Sequence, residues 1–151
     1  MALLSAKLSW LLRGIAIPCT FAGLAALGSA AQAGDGKTLA VELNALAQTG
    51  EACRLTFVST NGLGTDLEGV SLEIVVFDSD AIVRHLTIFD FGALPAGKPR
   101  VRQFELPKTE CGRIGRVLVY GVAACSGEGL AEAACEDALS LENRTGIEFS
   151  G

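Results

Sequence analysis

Beyond residue 36 most of the chain alternates apolar and polar side chains with a period of two, the pattern of strands buried on one face. In residues 37–47 (KTLAVELNALA), Leu39, Val41, Leu43 and Ala45 alternate with Ala40, Glu42 and Asn44, and this outweighs a competing helix propensity. Residues 53–60 (CRLTFVST) follow a Gln48-Thr49-Gly50-Glu51 turn and place Cys53, Leu55 and Phe57 on one face. The chain breaks at residues 61–66 and again at Gly69. Residues 70–77 (VSLEIVVF) then run as a strand with Val70, Leu72, Ile74 and Val76 on one side. Asp78-Ser79-Asp80 reads as a tight turn into residues 82–89 (IVRHLTIF), giving a hairpin. Residues 100–106 and 115–124 complete at least six strands at the spacing of an antiparallel sandwich.

After Cys125 the texture changes. Residues 130–139 (LAEAACEDAL) are rich in Ala and Glu and predict a short helix, followed by a polar turn at 142–146 and a brief Ile147-Glu148-Phe149. No internal repeat and no low-complexity linker interrupts the chain.

The N-terminus follows a different rule. Lys7 and Arg13 stand without an acidic neighbour, residues 14–30 are apolar and rich in Ala, Leu and Gly, and Ala31-Gln32-Ala33 offers small residues at the two positions a signal peptidase reads. Residues 1–33 are therefore expected to be a cleaved export signal. A retained anchor needs about 20 apolar residues, and this run is shorter and holds Pro18. No twin arginine is present, and the general secretory route is the simpler expectation. Removing the signal takes away Lys7 and Arg13, so the formal charge moves from -5 to -7. An acidic chain of this kind disfavours a phosphate backbone or an anionic membrane surface as partner. With no basic patch interleaved with aromatic rings, nucleic acid is not expected, and neither is stable membrane insertion after cleavage.

Export also changes the meaning of the cysteines. Cys19 leaves with the signal, and Cys53, Cys111, Cys125 and Cys135 remain, an even set in an oxidising compartment. Three pairings are possible. Because Cys135 lies on the C-terminal helical segment, a bridge to Cys125 would fasten that segment to the last main strand, leaving Cys53 with Cys111. No C-x-x-C occurs and His85 is the only histidine, so neither redox catalysis nor a Cys/His zinc site is expected.

The remaining candidate chemistry is sparse. Residues 92–99 (GALPAGKP) fall one residue short of a phosphate-binding loop, with Pro99 where a metal-holding hydroxyl is needed and a strand-like segment where a helix should start. They read as a strand-to-strand loop in which Pro95 pre-sets a turn and Gly97 supplies a positive φ. His85 with Ser59 or Ser71 would make a nucleophile–base pair, but no nucleophile elbow accompanies it. Asp78 and Asp80 present two oxygen ligands for calcium, without the remaining positions of a calcium loop. Arg100, Arg102, Arg113 and Arg116 form the one basic cluster, a possible partner surface if they share a face; pairing with Glu105 and Glu110 is the plainer alternative. Asn143-Arg144-Thr145 matches a glycosylation acceptor, relevant only in a eukaryotic secretory pathway.

Several short pieces together carry a resemblance: Glu42-Leu43-Asn44, Cys53-Arg54-Leu55-Thr56-Phe57-Val58, residues 72–78 (LEIVVFD), residues 94–98 (LPAGK), Arg102-Gln103-Phe104, and Cys111 with residues 114–118 (IGRVL). In these the chain resembles a group of uncharacterised small exported bacterial proteins of the Tat-signal-sequence-domain type. The resemblance implies a compact immunoglobulin-like or FxLYD-like sandwich in the periplasm and brings no catalytic residues. The missing twin arginines depart from it, and so does Ala81 after Asp80, where a glycine is usual in such a turn.

The expectation is thus an all-β protein: an export signal over 1–33, an antiparallel immunoglobulin-like sandwich of about six to eight strands over 34–126, and a C-terminal extension over 127–151 with a short disulfide-tethered helix. Its expected role is that of a non-catalytic periplasmic protein without cofactor or metal, binding an envelope or exported protein or serving as a structural envelope component. The rival is a small metal-binding factor or hydrolase using Asp78, Asp80 and His85.

Overall fold

The computed structural model describes residues 37–131 and 133–151; the expected export signal lies outside the described residues. Eight strands form two four-stranded sheets. The first sheet runs in the order β5 (Arg100–Leu106), β2 (Ala52–Asn61), β1 (Leu39–Thr49), β7 (Leu139–Asn143). The second runs β4 (Val83–Leu94), β3 (Leu67–Asp78), β6 (Ile114–Gly127), β8 (Glu148–Ser150).

The period-two pattern sets which side chains enter the core. Leu39, Val41 and Leu43 of β1, Cys53, Leu55 and Phe57 of β2, and Val70, Leu72, Ile74 and Val76 of β3 are all buried. Phe57 sits at the centre, with the rings of Phe89, Phe91, Phe104 and Phe149 at centroid distances of 5.9, 5.6, 5.9 and 5.9 Å. Phe89 of the second sheet and Phe104 of the first stack at 4.1 Å, so aromatic contact joins the two layers directly.

Two glycines behave differently from one another. Gly69 does not break the chain; it lies inside β3, at a register shift against both β4 and β6. A residue without a side chain fits such a bulge because the strand must bend there. Gly97 does terminate structure, at φ +68 in the loop between β4 and β5. That loop is held by Gly97 N–H donating to the Asn61 carbonyl at 2.7 Å and Ala96 N–H donating to the Asp66 carboxylate at 2.8 Å. The 92–99 segment is therefore the strand connection expected of it, although β4 itself continues to Leu94.

Both disulfides close in the pairing suggested by the segment positions. Cys53 of β2 bonds Cys111, which opens a single 3-10 turn at Cys111–Arg113, and Cys125 of β6 bonds Cys135. Cys135 lies on α1 (Ala134–Ala138), a helix of five residues and shorter than the predicted one.

The C-terminal segment corrects the sequence reading in one respect. The helix ends at Ala138, and Leu139 turns extended to begin β7, which pairs parallel to β1 with Leu39 opposite Leu139 and Val41 opposite Leu141. β8 pairs parallel to β6. The sandwich is thus antiparallel through β1–β6 and parallel at these two late strands, which cover one edge of each sheet. The opposite edges, β5 and β4, stay open among the described residues.

Candidate functional site

One end of the sandwich gathers most of the polar chemistry. The β3–β4 turn, the start of β4, the Pro107–Arg113 connection and the start of β6 enclose an open cleft of about 650 Å³, lined by Asp78, Arg84, His85, Lys108, Thr109 and Arg113 over an apolar floor of Val76, Phe77 and Ile114.

Asp78 is built into this end as a structural anchor. Its side chain is buried, with one carboxylate oxygen accepting the N–H groups of Asp80 at 2.9 Å and Ile82 at 3.0 Å, and the other accepting Arg84 Nε at 2.7 Å. The Ile82 N–H, followed by Arg84 and the Asp80 N–H, holds the carboxyl below its ordinary pKa against the opposing effect of burial. These donors hold both carboxylate oxygens in place within the turn. Asp80 is exposed and faces Arg113 at 3.7 Å. Among the described residues no three His, Cys, Asp or Glu side chains converge as a metal-binding group.

His85 meets neither of the serines considered for it. Ser59 is buried in the first sheet with no hydrogen-bond partner for its hydroxyl among the described residues, and Ser71 lies on the second sheet, 3.4 Å from the Asp90 carboxylate. His85 Nε2 instead contacts Thr109 Oγ1 at 2.8 Å, while that hydroxyl donates to the Pro107 carbonyl at 3.0 Å. The imidazole tautomer sets which partner of this contact donates. The contact ties the 107–109 turn to β4.

The four arginines are distributed over both sheets. Arg102 of β5 reaches across the open edge to donate from Nε to the Phe91 carbonyl at 2.7 Å, and Arg100 precedes it on the same strand. Arg113 lines the cleft, and Arg116 of β6 lies 4.9 Å over the Phe77 ring and 3.6 Å from Glu148. The partner of Glu105 is Arg54, at 2.7 Å.

A feature missed by the sequence reading lies on the outer face of the second sheet. Leu86 and Ile88 of β4 and Tyr120 of β6 are 65%, 60% and 70% exposed. On β3, Val75 stands in register with Leu86 on one side and Leu118 on the other, and Glu73 stands in register with Ile88 and Gly121. The signal was present in IVRHLTIFDF, which is apolar at both parities: Phe89 and Phe91 face the core and Leu86 and Ile88 face out. No family model, curated protein or solved structure matches the chain.

Proposed function

We propose that the protein is an exported, periplasmic binding module without catalytic activity, and that it docks an envelope or exported protein on the outer face of the β4-β3-β6 sheet. The observation that carries this reading is the concentration of solvent-facing Leu86, Ile88 and Tyr120 on one sheet. Exposed apolar side chains gathered on one surface mark interaction sites in soluble proteins, and a tyrosine contributes both apolar area and a polar end to such a surface.

Export is supported by the signal-like N-terminus and by two disulfides, which suit an oxidising environment. No helix among the described residues is long and apolar enough to cross a membrane. An immunoglobulin-like class is supported by the placement of the first six strands. β1, β2 and β5 lie in one sheet, while β3 and β6 pair in the other with β4 in the position of an added edge strand. The two parallel C-terminal strands are an addition to that plan.

The test uses a photoreactive amino acid at Tyr120 and, separately, at Gln103 on the outer face of the other sheet, in cells exporting the protein. One discrete adduct with a different envelope protein is expected from position 120, lost on introducing Leu118→Lys and absent from position 103. Equal labelling from both faces, or no heterologous adduct from position 120, would sink the proposal.

A further inference from the structure

The open edge of β4 carries a pattern that goes beyond binding of a different protein. Among the described residues β4 pairs with β3 on one side only, so its other side presents unpaired backbone N–H and C=O groups. At its far end Arg102 already occupies the Phe91 carbonyl and Asp90 accepts the Gly92 N–H, which confines the free stretch to residues 84–90. Folded proteins commonly guard such edges with charge, proline or a bulge. Here the centre of the edge, Leu86-Thr87-Ile88, has none of these, and the one bulge in this stretch lies at its beginning, where β4 shifts register against Val76 and Phe77.

The outward side chains of the free stretch are Arg84, Leu86, Ile88 and Asp90, all exposed. Read in opposite directions about Thr87, this series is complementary to itself. An antiparallel copy of the strand places Leu86 beside Ile88 of the second copy, Ile88 beside its Leu86, and the Arg84 and Asp90 pair at each end. Both charged groups have capacity left: Arg84 uses Nε on Asp78, leaving its two terminal nitrogens, and Asp90 engages Gly92 and Ser71 through one carboxylate oxygen only. The first sheet lacks such a pattern on its open edge, where the outward series of β5 is Val101, Gln103 and Glu105, with no cation to meet the glutamate of a reversed copy.

We infer that the protein forms a two-fold symmetric dimer by antiparallel pairing of β4 with β4 of a second copy, centred on Thr87, which joins two four-stranded sheets into one of eight. Such an interface is isologous, the same strand meeting itself, and it closes at two subunits. It removes the exposed edge and leaves Tyr120, two strands away, available on the face of the joined sheet.

The test is sedimentation velocity over a concentration series on the oxidised, exported protein and on two variants, Leu86→Lys and Ile88→Glu. Both positions are more than half exposed, so each variant is expected to fold, checked by an unchanged far-ultraviolet circular dichroism spectrum, since loss of a dimer would itself lower the melting temperature. Each alone is expected to weaken dimerisation at least about tenfold, because a charge faces an aliphatic side chain at both ends of the interface. Mixing the two variants restores a dimer, since the introduced ammonium of one chain then stands beside the introduced carboxylate of the other, while the second Leu86–Ile88 contact remains native. A wild-type protein that stays monomeric throughout, a dimer indifferent to both substitutions, or no recovery on mixing would overturn the inference. The adduct at position 120 is read separately, so loss of the dimer leaves the heterologous-partner proposal standing.

Discussion

The two sheets share one core and differ in the balance of polar and apolar side chains they turn to the solvent: Val101 is exposed on the first, and Arg84 and Asp90 on the second, but the weights differ. On the outside of the first, polar groups answer one another across strands: Arg54 meets Glu105 at 2.7 Å, Gln103 donates to Thr56 at 3.2 Å, and Arg144 meets Glu42 at 2.7 Å. On the outside of the second, Leu86, Ile88 and Tyr120 stand in water with Val75 between two of the strands. Both faces belong to strands that contribute buried side chains to the same core, so core formation does not dictate the difference. Exposed ion pairs contribute about 0–1 kcal/mol each, and Leu86 and Ile88 leave most of their area in water. Core formation leaves this contrast unexplained, and the proposed docking uses the outer face of the second sheet.

Each sheet also has its own disulfide, and their unequal loops give the largest expected effect. Cys53–Cys111 spans 58 residues and Cys125–Cys135 spans 10. In the chain-entropy account the long loop contributes about 4 kcal/mol and the short one about 2.5 kcal/mol. Replacing Cys53 and Cys111 together by alanine should therefore lower the denaturant midpoint more than replacing Cys125 and Cys135. Equal losses would show that local tethering of α1 to β6, and not loop length, sets the value of the second bridge.

The next effect separates the sheets by pH. The Asp78 carboxyl is held below its ordinary value of 3.8 by Ile82 N–H and Arg84, and it regains that value on unfolding. Its contribution is complete above the ordinary value and is lost as pH falls through the lower folded value, because the unfolded chain then binds a proton that the folded one resists. Asp78→Asn should destabilise the protein at neutral pH and flatten the loss of melting temperature below about pH 4. Glu42, on the first sheet, is held low in the same direction by Asn44 and Arg144, but it lies on the outer face. Glu42→Gln should change the acid limb less. A larger change from Glu42→Gln would place the acid-sensitive anchor in the wrong sheet.

A smaller effect sits in the turn that feeds β4. Ala81 adopts φ +60, a left-handed conformation that costs a residue with a Cβ roughly 1 kcal/mol. Ala81→Gly should raise stability by up to about 1 kcal/mol, reduced by the greater freedom of glycine in the unfolded chain. Measured destabilisation would mean that the alanine methyl has a packing role in the turn.

These elements differ in how visible they were beforehand. The six main strands were legible because one-sided burial writes a period of two into the residues, and the 92–99 loop because Pro95 and Gly97 impose their own backbone angles. The Asp78 turn was legible, but not its use of the carboxylate, since two backbone N–H groups and Arg84 meet it only once the hairpin closes. β7 was misread because Leu139-Ser140-Leu141 is too short to establish a period and follows an Ala-rich helix; its strand character comes from the neighbouring β1. The arginine cluster was adjacent in sequence terms and divided in space, because β5 and β6 lie in different sheets.

The smallest expected change in stability is the sharpest test of the comparison. Leu86→Thr with Ile88→Thr replaces two exposed aliphatic side chains by one that favours strands and leaves no buried group unpaired. Folding stability should stay within about 0.5 kcal/mol of the wild type, and the same should hold for Arg54→Ala on the first sheet, whose ion pair with Glu105 is exposed. The two variants part company in association. The threonine pair removes apolar surface from the β4 edge and should shift the sedimentation coefficient toward the monomer, whereas Arg54→Ala should leave it unchanged. Equal stability with unequal association is the outcome expected if the polar face is inert and the apolar face is a contact surface; equal association would dissolve the distinction between the two sheets.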